Sequence, residues 1–221
     1  MNTKGYCYPK AIILQAVYFK LRFTLSYRDI EEIMKMRGIQ VDHATIQRWV
    51  FKFSPLIESQ MKKRKNKVGV SWRMDETYIK VKGIWCYLYR AVDKSGNTVD
   101  FLLTRRSQRM SAQSFLIKAI NNNCRPRVIN IDKSGSNTST IRVYNKRPFS
   151  NIKIRQCKYL NNIVEQDHRF IKWRIQNSLG FKSFESAKRT LGGIEVVNML
   201  RKNQMLKPGT TMFKSFCKLA A

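Results

Sequence analysis

The chain has 221 residues, room for one ordinary domain and a small second one, and its 43% apolar content and mean hydropathy of −0.42 exclude a disordered polymer. Lys and Arg total 43 against 14 Asp and Glu, a formal charge of +29 that points to a polyanionic partner. Five scattered cysteines without C-x-x-C spacing argue against a disulfide scaffold and a zinc ribbon, and two histidines exclude a three-histidine metal site. No stretch approaches the roughly 20 apolar residues of a membrane span, and reduced thiols fit a cytoplasmic protein.

Residues 10–53 read as three helices. The first, opened by Pro9, carries Ile12, Ile13, Ala16, Val17 and Phe19 at helical spacing. Gln15 interrupts that run and Lys20 ends it, so an amphipathic helix is expected rather than a leader peptide. The second starts at the cap-like Ser26-Tyr-Arg-Asp29, presents Ile30, Ile33 and Met34, and ends near Gly38. Asp42 is an N-cap for the third, which buries Ile46, Trp49, Val50 and Phe53. Two helices joined by a tight Gly-containing turn, after a supporting helix, form the helix-turn-helix pattern. A plain three-helix bundle is the alternative, and the basic charge favours DNA binding. Gln47 and Arg48, opposite the buried stripe, are candidates for base edges in the major groove, and Lys52 for phosphate. His43 reads as a helix-end residue.

Residues 1–54 are therefore expected to be a small all-α DNA-binding domain. Residues 55–70, ending in Met61-Lys-Lys-Arg-Lys-Asn-Lys67, read as a basic linker that hugs phosphate, with a nuclear-import signal as the alternative. From Ser71 the period changes. Strands are expected over 72–82, 84–92 and 98–104, with a turn at Asp93-Lys-Ser-Gly-Asn97. A helix over 111–120, a strand Arg127-Val-Ile-Asn-Ile-Asp132, a loop over 133–137, a helix over 138–146, a strand over 151–155 and a long helix over 159–176 follow. This β-β-β-α-β-α-β-α order is what an RNase H-like sheet requires. The expected fold class is thus α/β, with an RNase H-like mixed-sheet catalytic domain over 71–221.

The acidic residues are few and their placement is informative. Asp132 is the only acid between Phe101 and Val164, a stretch with thirteen Lys or Arg, and it stands at a C-terminal strand end where open α/β sheets bind ligands. Its alternative reading is a turn or helix-capping aspartate. Asp75 lies in the strand Trp72-Arg-Met-Asp75-Glu-Thr-Tyr-Ile-Lys80. Strand alternation sends Asp75 and Glu76 to opposite faces, so only one can serve, with Asp75 preferred and Glu76 the fallback. Glu165 flanks the stripe Leu160, Ile163, Val164, Ile171 and Ile175, with His168 and Lys172 on the same margin. An ordinary charged surface face is the alternative there. Carboxylates on two strands and a helix can converge on two divalent metals about 4 Å apart, the arrangement for in-line phosphoryl transfer. Hard ions such as Mg²⁺ suit such oxygens.

The segments Leu25-Ser-Tyr-Arg-Asp-Ile-Glu-Glu32, Val41-Asp-His-Ala-Thr-Ile-Gln-Arg-Trp49 and Trp72-Arg-Met-Asp-Glu-Thr-Tyr-Ile-Lys-Val-Lys-Gly83 carry a resemblance. So do Tyr87-Leu-Tyr-Arg-Ala-Val-Asp93, Lys158-Tyr-Leu-Asn-Asn-Ile-Val-Glu-Gln-Asp-His-Arg169, Leu179-Gly-Phe-Lys-Ser-Phe184 and Gly193-Ile-Glu195. Across nearly the whole chain, in one order, the sequence resembles the DDE transposases of bacterial insertion sequences, specifically the insertion-sequence-six family. The resemblance implies a catalytic triad of Asp75, Asp132 and Glu165 holding two Mg²⁺ or Mn²⁺ ions, with Lys172 as the basic residue seven positions after the glutamate. It also implies a helix-turn-helix module that recognises the element's terminal repeats. Lys172, His168 and Arg169 join Gln47, Arg48 and Lys52 as expected DNA contacts. The loop Ser134-Gly-Ser-Asn-Thr-Ser-Thr140 departs from the family in lacking a proline, and the spacing from Asp132 to Glu165 is short. The triad itself is intact.

The function so implied is transposition: binding of terminal inverted repeats, cleavage at 3′ ends and strand transfer into target DNA. Partners are double-stranded DNA, with no membrane, and a further copy of the chain, since joining two ends requires at least a dimer. The expected location is the bacterial cytoplasm, on the nucleoid. The alternatives are a catalytically impaired DNA-binding repressor and an RNase H-like nuclease without strand transfer.

Overall fold

A computed structural model describes residues 7–105, 108–132, 135–176 and 180–220. The chain forms two compact units, one of Lys67–Trp173 and one of Met1–Asn66 with Arg174–Ala221.

The first of these is a five-stranded sheet with helices. Its elements are β1 (Ser71–Val81), β2 (Ile84–Asp93), β3 (Thr98–Thr104), helix α4 (Gln108–Asn122), β4 (Val128–Ile131), helix α5 (Gly135–Asn145) and β5 (Lys153–Gln156). A short 3₁₀ turn, Lys158–Asn161, leads into a helix, α6 (Asn162–Gln176), whose last turn passes into the other unit. The strand order is β3-β2-β1-β4-β5, with β2 antiparallel to both β1 and β3, β4 parallel to β1, and β5 parallel to β4. This is the mixed sheet that the RNase H-like expectation requires.

Chemistry explains the placement of the strands. β4, Val-Ile-Asn-Ile, is buried along its whole length, as an inner parallel strand must be. β5 at the edge exposes Lys153 and Arg155, which discourage edge-to-edge pairing. On one face, Trp72, Met74, Tyr89, Ala91, Ile129 and Ile131 pack with Phe115 and Leu116 of α4 and Ile141 of α5. The turn between β2 and β3 is built by Asp93, whose carboxylate accepts hydrogen bonds from the N–H groups of Gly69, Ser95 and Asn97, and Gly96 takes φ +79° there.

The other unit is helical: α1 (Lys10–Arg22), α2 (Tyr27–Met36), α3 (His43–Arg64), α7 (Phe184–Arg201) and α8 (Met212–Leu219). Ser26 and Asp29 form the expected capping box of α2, and the Asp42 carboxylate accepts from the N–H groups of Ala44 and Thr45 to start α3. Gly38, at φ +74°, makes the turn between α2 and α3.

Three expectations are corrected. The linker over 55–70 is helix as far as Arg64, because the buried stripe of α3 continues through Ile57 and Met61 beyond Pro55. Burial of those side chains, about 1.5–3 kcal/mol each, offsets the roughly 3 kcal/mol cost of an internal proline. Residues 174–221 do not belong with the sheet: α7 packs on α3 and α1. Gly193 permits that approach, since a Cβ there would stand 2.6 Å from a Leu21 methyl and 3.0 Å from the Ser54 hydroxyl. In the sheet unit, the loop expected over 133–137 is already α5 from Gly135. Its Lys133 and Ser134 lie outside the described residues, as does Leu179 of the quoted segments.

Candidate active site

The register of the sheet decides which acids meet. β4 runs parallel to β1 with Arg73 opposite Asn130. Two residues further along each chain come Asp75, still within β1, and Asp132, just past the end of β4, near enough for the charge of Asp132 to act on Asp75. Asp132 follows directly on the last residue of β4, Ile131, and is exposed. Asp75 sits mid-strand, one-fifth exposed, on the face turned to α6. Its Oδ2 is 3.4 Å from Nε2 of His168. Glu165 stands in the first turn of α6, one turn before His168.

Electrostatics links the group. Asp75 has its pKa raised to about 7, first by burial and then by the negative charges of Glu76, Asp132 and Glu165. Asp75 thus feels both other members of the expected triad. Glu76 points to the opposite face, where its Oε2 accepts a 2.7 Å hydrogen bond from Nδ2 of Asn137 on α5, and burial raises its pKa as well. His168 is pushed well below the ordinary imidazole range by burial and by the charges of Arg90 and Lys172, which keeps its ring neutral.

His168 was expected among the DNA contacts. It is buried instead, at 4% exposure, against Asp75. Lys172 and Arg169 are exposed on α6, and Lys172 lies one turn beyond His168, close enough for its charge to act on that ring. Beneath them is a feature that sequence reasoning missed. Nη1 of Arg90, a fully buried residue opposite Asp75 in the β1–β2 register, donates a 3.0 Å hydrogen bond to Oδ2 of Asp167. This ion pair ties α6 to the sheet two residues after Glu165. A lone Arg in a strand of apolar residues was the available signal.

Among the described residues, no group of three or more His, Cys, Asp and Glu side chains closes to metal-holding distance. The donor chemistry nevertheless fits a hard divalent cation. The groups are carboxylate oxygens, and the raised proton affinity of Asp75 reflects negative charge that a cation would offset.

In the helical unit, Gln47, Arg48 and Lys52 all lie on the exposed side of α3, opposite buried Ile46, Trp49, Val50 and Phe53. The start of that helix is held to α2 by Glu31, whose carboxylate accepts from the His43 backbone N–H at 3.1 Å and lies 2.9 Å from its Nδ1. Among the described residues no helix is long and apolar enough to cross a membrane.

Comparison with known proteins adds the following. The family described as a DDE domain matches residues 69–204. The chain is 40% identical over 199 residues to the transposase for insertion sequence-like element IS431mec of Staphylococcus aureus (strain Mu50), covering 88% of this chain and 86% of that protein. The same identity and coverage hold for the transposase for insertion sequence element IS257 in transposon Tn4003 of Staphylococcus aureus. Among solved structures, the HTLV-2 integrase catalytic core domain in complex with magnesium (dimeric form) aligns with a TM-score of 0.47 at 18% identity, over 69% of this chain and 99% of that one.

Proposed function

This chain belongs to the insertion-sequence-six family of DDE transposases, and from that premise we propose that Asp75, Asp132 and Glu165 are the acids that carry its polynucleotidyl transfer. It is a transposase and a metal-dependent enzyme; the alternatives of a bare repressor and of a nuclease without strand transfer are not favoured. The observation that supports the assignment of residues is the negative charge of Asp132 and of Glu165 felt at Asp75, alongside a parallel β1–β4 pairing that ends two residues before Asp75 and Asp132.

Two Mg²⁺ or Mn²⁺ ions, held by Asp75, Asp132 and Glu165, would supply activation of the attacking oxygen and neutralisation of the leaving one. The chain's own groups do the rest. Neutral His168 packs on Asp75 without competing for its charge. The Arg90–Asp167 pair fixes α6, and with it Glu165, against the sheet. Lys172 and Arg169 offer cations to the phosphates next to the scissile bond. In the first transfer a water oxygen bonds to phosphorus and the 3′ oxygen of the element end leaves. In the second, the oxygen of that 3′-hydroxyl bonds to the phosphorus of a target phosphodiester, the target strand's own 3′ oxygen leaves, and the proton passes from the attacking to the leaving oxygen. Neither step requires a protein nucleophile.

Gln47 and Arg48 of α3 would read bases of the terminal inverted repeat while Lys52 grips its backbone. Double-stranded DNA, as element end and as target, is then the substrate. Joining two ends calls for at least two copies of the chain. The proposed place of action is the bacterial nucleoid.

The test uses purified protein, terminal-repeat DNA and Mg²⁺. Nicks at the repeat end together with joined products are expected. Asp132→Asn should bind the end as wild type does and cut nothing; unchanged cutting by that variant removes Asp132 from the site.

A further inference from the structure

The geometry points to a nucleobase-stacking platform on the β1–β2 hairpin, formed by Tyr78, Tyr87 and Trp85 with Lys80 and Lys82, that takes an unstacked base of bound DNA. The inference rests on the transposase reading for the identity of its ligand, and on the hairpin for everything else.

The hairpin outruns the sheet. β4 pairs only with Ser71–Arg73 of β1, and β3 pairs with β2 no further than Tyr87. Beyond those points, among the described residues, the ends of β1 and β2 pair with each other, in a register that runs Tyr78↔Tyr87, Lys80↔Trp85 and Val81↔Ile84. The arm closes through Lys82 and Gly83 at φ +48° and +80°, the left-handed pair that a tight two-residue hairpin demands. A non-glycine residue in that conformation is uncommon, and here it sets a lysine at the tip.

The two faces of the arm differ sharply. Ile79, Val81 and Cys86 are at most 3% exposed. The other face carries Tyr78 at 43% and Trp85 at 60% exposure, with Lys80 between them. The Tyr78 and Tyr87 ring centroids are 5.2 Å apart, and Nζ of Lys80 lies 5.7 Å from the Trp85 ring centroid. The pair preceding them on this face is Glu76↔Tyr89, where Tyr89 stacks on Phe115 in the core; Tyr87, partly buried, still packs against that core, and Tyr78 and Trp85 are the exposed rings. Aromatic rings therefore continue in a row along β2 toward the hairpin tip, Tyr89, Tyr87 and Trp85, with Tyr78 beside Tyr87 on β1. Tyr78 is about 10 Å along β1 from Asp75, on the sheet face of Glu76 rather than that of Asp75, so a base held there belongs to a strand that passes around the sheet edge.

Exposed rings interleaved with lysines match one ligand chemistry best. Nucleobases stack on aromatic faces and their phosphates pair with the cations, and such platforms tolerate any sequence because every base has a π-face. A protein of charge +29 draws polyanions to this surface before any other partner.

The experiment uses the full chain and terminal-repeat duplexes in which 2-aminopurine replaces one base at a time near the cleavage position. Wild-type protein is expected to change the fluorescence of the probe at one or two positions, where stacking on protein replaces stacking in the duplex. Trp85→Ala and Tyr78→Ala, at exposed positions, should lose that signal and bind ends with unpaired tips about tenfold more weakly, while Trp85→Phe restores both. Circular dichroism of each variant should match wild type. Equal probe signals and equal affinities for wild type and Trp85→Ala overturn the platform. Failure of the underlying reading is distinguishable: a wild-type protein that shifts the probe through Trp85 but neither nicks nor joins any end keeps the platform and removes the transfer chemistry.

Discussion

Removing one half of the Arg90–Asp167 pair tests how Glu165 is held. Arg90 is fully buried, and the Asp167 side chain is 11% exposed, so water cannot take over either partner's role. Asp167→Asn leaves the guanidinium buried without its carboxylate, and breaking a buried pair in this way costs about 3–5 kcal/mol. At about 2–4 °C per kcal/mol for a chain of this size, the melting midpoint should fall by about 6–20 °C. Arg90→Met combined with Asp167→Leu removes both charges and keeps apolar volume, so most of the loss should return. Its melting curve separates charge burial from packing. Nicking gives the second readout. If the pair positions α6, the double variant folds yet cuts more slowly than wild type with unchanged end affinity. The reasoning fails if Asp167→Asn melts within about 2 °C of wild type, or if the double variant is as unstable as the single one.

Further outcomes follow from other residues. Asp75 titrates near 7 in the metal-free fold against an ordinary 3.8, so the folded chain retains a proton that the unfolded chain has lost, and stability falls as pH rises across that window. Asp75→Asn should therefore gain up to about 4 kcal/mol over wild type at pH 8, with the gap closing below pH 4 in thermal melts. Mg²⁺ should raise the melting point of wild type at pH 8 and leave that of Asp75→Asn nearly unchanged. Arg48→Ala should reduce the preference for the terminal repeat by about 1–3 kcal/mol, whereas Lys52→Ala should weaken binding to all DNA alike, both read by titration against repeat and random duplexes. Gly193→Ala places a methyl 2.6 Å from Leu21 and should destabilise the helical unit by about 1–3 kcal/mol in denaturant melts.

Local features were the legible ones. The capping box at Ser26, the Asp42 cap and the Gly38 turn are short-range chemistry, and the structure carries each as read. Strand alternation separates Asp75 from Glu76, and the two do face different helices, one meeting His168 and the other Asn137. The missed features are of two kinds. Residues 55–70 were read as a basic linker, but the stripe that includes Phe53, Ile57 and Met61 carries α3 on through Pro55. In α7 the residues from Leu191 to Leu200 are all buried, so no polar side marks a periodic face, and the helix gave no amphipathic signal to read.

The deeper loss is in α6. A helical wheel sorts side chains by polarity: it set His168 on the margin of the stripe that includes Val164 and Ile171, and it gave Asp167 no role. Both are buried with that stripe. What Asp167 meets there is a partner 77 positions away in the chain, Arg90 of β2. The parallel pairing of β1 with β4, through Arg73 and Asn130, likewise leads toward Asp75 and Asp132, whose charges interact. An acid's identity in such a site is therefore a local property of its strand or helix, while its company is set by strand pairing. Pairing register depends on residues that carry no chemistry of their own, which is why candidate acids can be read off the chain one by one while the buried Arg90–Asp167 pair could not.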